Sequence, residues 1–181
     1  KPTFDRVVAG LDALKRHNVE WNALTTVNAA NGDHGREVYT FLRDELGADF
    51  VQLIPIVEHL EGETASSRSV NGAQYGRFLI DVFEEWARHD VGDVFVQMFD
   101  TSLAHWMGMH QMGMCVHART CGDALALEHN GDLYSCDHYV DPKYLLGNIT
   151  EGRTMLELVE SPQQRAFGNA KLDTLPEYCR S

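Results

Sequence analysis

Two periods alternate along the first half of the chain. Phe4, Val7, Val8, Leu11 and Leu14 recur at the spacing of one helical face, with a stop at His17 and Asn18. Residues 21–28, WNALTTVN, read instead as a buried strand, rich in apolar and β-branched side chains. The alternation then repeats. Asn31 and Asp33 mark a turn into a second helix that carries Val38, Phe41 and Leu42 and closes before Gly47. Residues 50–57, FVQLIPIV, form the next strand, with Pro55 at its end or at a bulge, because proline has no N–H to give the ladder.

Residues 58–74 are polar and without period, longer than a compact connection requires, and loops of that length tend to be functional or mobile. Tyr75, Phe78, Leu79, Val82, Phe83 and Trp86 predict a strongly amphipathic helix, and residues 94–98, VFVQM, a further strand. Helix and strand alternating in this way predict an α/β fold built from βαβ units around a parallel sheet. A complete eight-stranded barrel takes about 250 residues, so this sheet is expected to be either small or incomplete, with incomplete preferred.

Residues 101–114 begin as a helix and become punctuated by glycine; Met107, Met109, Met112 and Met114 fit adaptable packing better than soft-metal binding. Beyond Met114 the pattern changes to short β elements and turns. Asn130-Gly131 predicts a hairpin joining residues 124–128 to 132–136, through a pair that tolerates positive φ. This region is expected to be a small appended module in which metal ligation contributes to folding.

Composition narrows the function classes. With 44% hydrophobic and 23% charged residues, a packed core is expected rather than disorder. A formal charge of -12 speaks against nucleic acid as the main partner, since that affinity rests on Lys and Arg neutralising phosphates. No run approaches the roughly 20 apolar residues needed to cross a membrane, and the first residues lack the apolar core of a signal peptide. A cytoplasmic location and no membrane partner follow as expectations. The absence of an initiator Met and the polar ending Cys179-Arg180-Ser181 favour a piece of a longer protein.

All four cysteines lie in the last 67 residues. Cys115, Cys121 and Cys136 follow a C-x5-C-x14-C spacing, so two thiols from a loop and one from the return strand of the hairpin can converge on one centre. Thiolates favour zinc or iron–sulfur chemistry over hard metals. By spacing alone, metal ligation, buried structural thiols and disulfides all stay open, and Cys179 fits any of them.

The stretch from Cys115 to Ile149 resembles the auxiliary-cluster region of anaerobic sulfatase-maturating enzymes, members of the radical S-adenosylmethionine superfamily with a C-terminal SPASM domain. The resemblance is carried by the cysteine spacing, Gly131-Asp132-Leu133-Tyr134-Ser135-Cys136, Cys136-Asp137-His138 and Leu146-Gly147-Asn148-Ile149. The blocks VEWNALTTVN and FVQLIPIVE are similar to barrel strands of that family, so the likeness covers nearly the whole chain. It implies residues 1–110 as the C-terminal part of a partial (β/α) barrel and residues 111–181 as a truncated SPASM domain.

The implied activity is oxidation of a sulfatase cysteine or serine to Cα-formylglycine without oxygen. The implied cofactors are 4Fe-4S clusters and S-adenosylmethionine, and the implied partners are a sulfatase polypeptide and an electron donor such as flavodoxin or ferredoxin. The initiating cluster of the family sits on a CxxxCxxC motif that this chain does not contain. The chain alone is therefore expected to be inactive and need hold no metal.

By the same resemblance Cys115, Cys121 and Cys136 match three ligands of a first auxiliary cluster whose fourth thiolate lies beyond Ser181. Cys179 matches the first ligand of a second cluster. Asp137 matches the proposed general base; as plain chemistry, it can equally cap a turn or balance Lys143. His138 can donate to cluster sulfur or simply be hydrogen-bonded locally, and His117 and Asp123 are expected to support the cysteine loop rather than ligate. Thr25, Thr26, Asn28, Gln52 and Glu58 lie toward the strand ends where barrel sites gather polar groups, and are candidates to line a pocket for cofactor or peptide. Strand alternation lets only one of Thr25 and Thr26 face inward. Other readings are a SPASM enzyme with another peptide substrate, a zinc-binding interaction module and a disulfide-bearing extracellular domain.

Overall fold

The computed structural model describes residues 2–58, 65–109 and 114–179. It divides into two compact units, Lys1–Met107 and Gly108–Ser181. Both are mixtures of helix and sheet, as expected. Among the described residues no helix is long and apolar enough to cross a membrane.

In the first unit α1 spans Pro2–Arg16 and stops where Asn18 turns left-handed at φ 51°. Three strands follow, β1 (Ala23–Val27), β2 (Phe50–Pro55) and β3 (Phe95–Val96), all parallel, with β2 in the middle. Pro55 ends β2 opposite Val27, at the place where a missing N–H costs the ladder least. Between β1 and β2 lies α2 (Gly35–Thr40), continued by a π-helical turn Phe41–Glu45 in which Leu46 N–H reaches back to Phe41 O.

The long helix α3 (Gly72–His89) starts three residues before Tyr75, capped by the Asn71 side chain accepting from Gln74 N–H. The expected loop at 58–74 is therefore shorter, and residues 59–64 of it lie outside the described residues. At its start the Glu58 carboxylate accepts from Ser66 Oγ at 2.8 Å and pairs with Arg68 at 3.2 Å.

One expected strand is cut short by a helix. Residues 94–98 give only a two-residue strand, after which α4 (Gln97–Trp106) begins. The Asp100 carboxylate accepts from Val96 N–H at 2.8 Å and so satisfies a backbone donor at the helix start.

The sheet has one covered face and one open face. Ala23, Val27, Val51 and Leu53 are buried with Tyr39, Leu42, Phe78, Val82 and Trp86 in a single apolar core. On the opposite face Leu24 is 58% exposed and Ile54 41%.

The second unit holds a three-stranded antiparallel sheet of β4 (Ala126–Leu127), β5 (Asp132–Tyr134) and β6 (Leu145–Asn148). The expected hairpin is present, with a different turn. Gly131 N–H donates to Glu128 O and Glu128 N–H to Asp132 O, both at 2.9 Å, and Gly131 alone is left-handed, at φ 91°. This is the three-residue loop with a glycine bulge, in which Asn130 keeps negative φ.

Strand β6 fits the expectation of short β elements and turns, and the helices α5 (Met155–Val159) and α6 (Pro162–Asp173) correct it. Thr154 and Glu157 form a reciprocal capping box on α5, and Ser161 caps α6 with Pro162 in its first turn. Leu158 of α5 packs with Leu133 and Leu146 to make the small core of this unit.

Candidate metal centre

Cys115 begins a short 3-10 turn, Cys121 sits in the loop before β4, and Cys136 follows β5. All three line one cavity of about 630 Å³ with Val116, His138, Tyr139, Tyr144, Phe167, Ala170, Lys171 and Thr174. Tyr139, Tyr144 and Phe167 form an aromatic wall, with ring centroids 5.0 to 6.1 Å apart. Loop and hairpin thiols thus line one cavity, while among the described residues the potential ligand atoms within 4.8 Å of one another are those of Cys136, Asp137 and His138.

The thiols differ in setting. Cys115 is exposed, while Cys121 and Cys136 are partly buried, and none is in a disulfide. Burial pushes the Cys136 thiol above its ordinary value; the His138 N–H at 3.5 Å works the other way, and the Asp137 carboxylate and nearby Cys115 raise it further. The Asp137 Oδ1 atom accepts from Cys136 Sγ at 3.4 Å and meets His138 Nδ1 at 3.0 Å. Asp137 is thus tied to Cys136 and His138 in one exposed turn, and its own N–H donates to Ala124 O at 2.9 Å.

Cys179 is placed differently. It ends an exposed 3-10 turn, donates its N–H to Pro176 O at 2.9 Å and does not line the cavity. His117 and Asp123 flank the cysteine loop and are not among the cavity residues.

The candidates of the first unit separate by strand face. Thr26 shares the open face with Leu24, Gln52 and Ile54, whereas Thr25 shares the covered face with Ala23 and Val27. Asn28 is engaged in the turn after β1: its side chain accepts from Ala30 N–H at 2.8 Å, and its N–H donates to Asn31 Oδ1 at 2.7 Å.

Three residues of α6 that sequence reasoning passed over also belong to the site. Gln164 Nε2 donates to Gly122 O at 2.9 Å and Ser135 O at 3.1 Å. Gly168 O accepts from Cys121 N–H at 3.0 Å, and Lys171 Nζ donates to Cys115 O and Val116 O at 2.8 and 3.0 Å. The Ser161-Pro162 pair was the available signal, because serine before proline is a strong helix start.

Three thiols lining one cavity, with the Asp137 carboxylate beside Cys136, suit a soft metal centre, and the aromatic wall would give an iron–sulfur cluster apolar surroundings. Comparison with known proteins agrees with that chemistry. The family model of SPASM, an iron–sulfur cluster-binding domain, matches residues 115–181. A serine-type anaerobic sulfatase-maturating enzyme of Bacteroides thetaiotaomicron is 42% identical over 195 residues, covering 99% of this chain and 46% of that protein. A cysteine-type anaerobic sulfatase-maturating enzyme of Clostridium novyi is 29% identical over 176 residues, covering 96% of this chain and 46% of that protein.

Among solved structures, native anSMEcpe with bound AdoMet and Cp18Cys peptide superposes with a TM-score of 0.83 at 27% identity, covering 99% of this chain and 49% of that one. The chain spans about half the length of the curated relatives it matches. By sequence and fold together, the chain is similar over nearly its whole length to anaerobic sulfatase-maturating enzymes, and its residues 115–181 match the SPASM iron–sulfur cluster-binding domain.

Proposed function

We propose that the protein takes part in anaerobic sulfatase maturation, oxidising a cysteine or serine of a sulfatase polypeptide to Cα-formylglycine. The observation that carries this reading is that Cys115, Cys121 and Cys136 line one cavity with Asp137 bonded to Cys136, in a chain similar throughout to enzymes of that activity. In this reading residues 1–110 belong to the radical S-adenosylmethionine barrel and residues 111–181 to the SPASM domain.

Bound S-adenosylmethionine would supply the hydrogen-abstracting radical, and 4Fe-4S clusters would supply the route by which the second electron leaves. The chain's own residues have narrower tasks. The thiolates of Cys115, Cys121 and Cys136 hold one cluster, and Cys179 contributes to another. The Asp137 carboxylate accepts the thiol or hydroxyl proton of the substrate as its Cβ is oxidised, a general-base role open to an exposed carboxylate fixed beside a cluster ligand. The open face carrying Thr26 and Gln52 is the surface for cofactor or peptide; Thr25 and Asn28 act behind it, in the strand and its turn.

The chain lacks CxxxCxxC, so it does not start the radical reaction by itself. The electron donor is a small redox protein of the flavodoxin or ferredoxin type. Free thiols suit a cytoplasmic setting.

The test is anaerobic coexpression of the full-length protein with a sulfatase, followed by mass spectrometry of the sulfatase active-site peptide. Formylglycine is expected with the wild type and is expected to fall sharply with Asp137→Asn, while iron and sulfide content stays unchanged. Absence of formylglycine despite intact clusters and active S-adenosylmethionine cleavage rejects the substrate assignment. Tightly bound zinc without acid-labile sulfide rejects the cluster.

A further inference from the structure

Helix α6 carries no cysteine, yet one face of it holds the backbone beside each of the three cavity cysteines. Gln164, Gly168 and Lys171 stand at i, i+4 and i+7, and so share that face. At the first turn the Gln164 carboxamide joins Gly122 O, one residue after Cys121, to Ser135 O, one residue before Cys136. A turn later Gly168 takes the Cys121 N–H, and a Cβ added at Gly168 would stand 2.5 Å from Cys121 O. A further turn on, Lys171 clasps the carbonyls of Cys115 and Val116.

The Gln164 amide has a defined orientation. Both of its donor contacts are to carbonyl oxygens, which only the NH2 end can satisfy, and the residue is just 4% exposed. These contacts span 29 to 56 residues of sequence, so nothing local to the cysteine loops could supply them.

We infer that the Gln164-Gly168-Lys171 face of α6 is a template that sets the positions of Cys115, Cys121 and Cys136 through their backbones. The inference rests on the reading of these cysteines as cluster ligands, and it deepens that reading by naming the residues that position them. A thiol can reach a shared centre only if its Cα is already placed, and ligands ordered in advance leave less ordering to be done when the metal binds. Gly168 is required by the close approach: alanine there must push Cys121 away.

The full-length protein, purified anaerobically and reconstituted with ferrous iron and sulfide, tests this by native labelling with iodoacetamide and peptide mass spectrometry of each thiol. In the wild type, reconstitution should protect Cys115, Cys121 and Cys136. Gly168→Ala should label Cys121 about tenfold faster and lower the iron bound, while helix content by circular dichroism is kept, since alanine is the better helix former. Lys171→Met should expose Cys115 selectively, and Lys171→Arg, which keeps a charged donor, should restore its protection. Gln164→Leu should loosen Cys121 and Cys136 together; if it fails to fold, the Gly168 and Lys171 variants still decide. Variants that protect all three thiols and bind iron as the wild type does overturn the template. Wild-type thiols left unprotected by reconstitution overturn the ligand reading itself.

Discussion

Tyr39 Oη donates to Asp90 Oδ2 at 2.8 Å across 51 residues of sequence, joining the end of α2 to the residue that caps α3. Arg43 completes the group, with Nη1 at 2.6 Å from Asp90 and 3.3 Å from Glu85. Burial, then the bond to Asp90, pushes the Tyr39 hydroxyl above its ordinary value, so it remains a donor throughout the working pH range. Tyr39→Phe should destabilise the first unit by about 1.5–3 kcal/mol, the range for a hydrogen bond to a charged group. Arg43→Met, which leaves two mostly buried carboxylates facing each other, should cost about 3–5 kcal/mol. Urea denaturation followed by tryptophan fluorescence reads both effects, because Trp21, Trp86 and Trp106 all lie in this unit.

Phe78 is fully buried in the same core. Phe78→Ala should cost about 3–5 kcal/mol through lost burial and the cavity left behind. A midpoint in urea unchanged from the wild type would show that α3 does not carry this core.

Gly131 is the turn residue at φ 91°, and a Cβ there would lie 2.8 Å from Asn148 Oδ1. Gly131→Ala should destabilise the hairpin by more than about 1 kcal/mol. Hydrogen exchange of the β5 and β6 amides is the appropriate readout, since fluorescence is blind to this unit.

Two carboxylates give the units an acid limit. The Asp33 carboxyl is held below its usual range by hydrogen bonds from Arg77, then Gln74, and that of Glu157 by the Thr154 N–H, then its hydroxyl. A carboxylate whose folded value is depressed stabilises the fold above its unfolded value, near pH 4 or about there, and loses that contribution as pH falls through the folded value. Both residues are exposed, so the effect is local. In an acid titration by NMR, Glu157→Gln should remove the acid-dependent fraying of α5 and leave the Asp33 turn untouched.

The hairpin and the cysteine loop were legible because their determinants are close in sequence. The hairpin pairs Leu127 with Leu133 and delivers Cys136 two residues after β5, and the spacing of Cys115 and Cys121 reads directly as a loop. What escaped lies in contacts with no local trace. Gln164 and Lys171 look like ordinary surface residues of a polar helix, and their partners are 29 to 56 residues away. The helix itself was missed because α5 has five residues, too few to display a period, while α6 has few apolar positions; only their caps announced them. At residues 94–98 strand propensity lost to the helix start that Asp100 stabilises. The facing of Thr25 and Thr26 depended on register against β2, which a single strand cannot disclose.

The open face of the parallel sheet has a practical consequence at the bench. Parallel sheets ordinarily bury both faces, yet Leu24 and Ile54 stand exposed on adjacent strands, with Val57 56% exposed just beyond. Prepared as these 181 residues, the protein should self-associate as its concentration rises and bind hydrophobic dyes while fully folded. Light scattering and dye fluorescence on such a sample would then report a sticky native surface, and neither should be taken for a sign of unfolding.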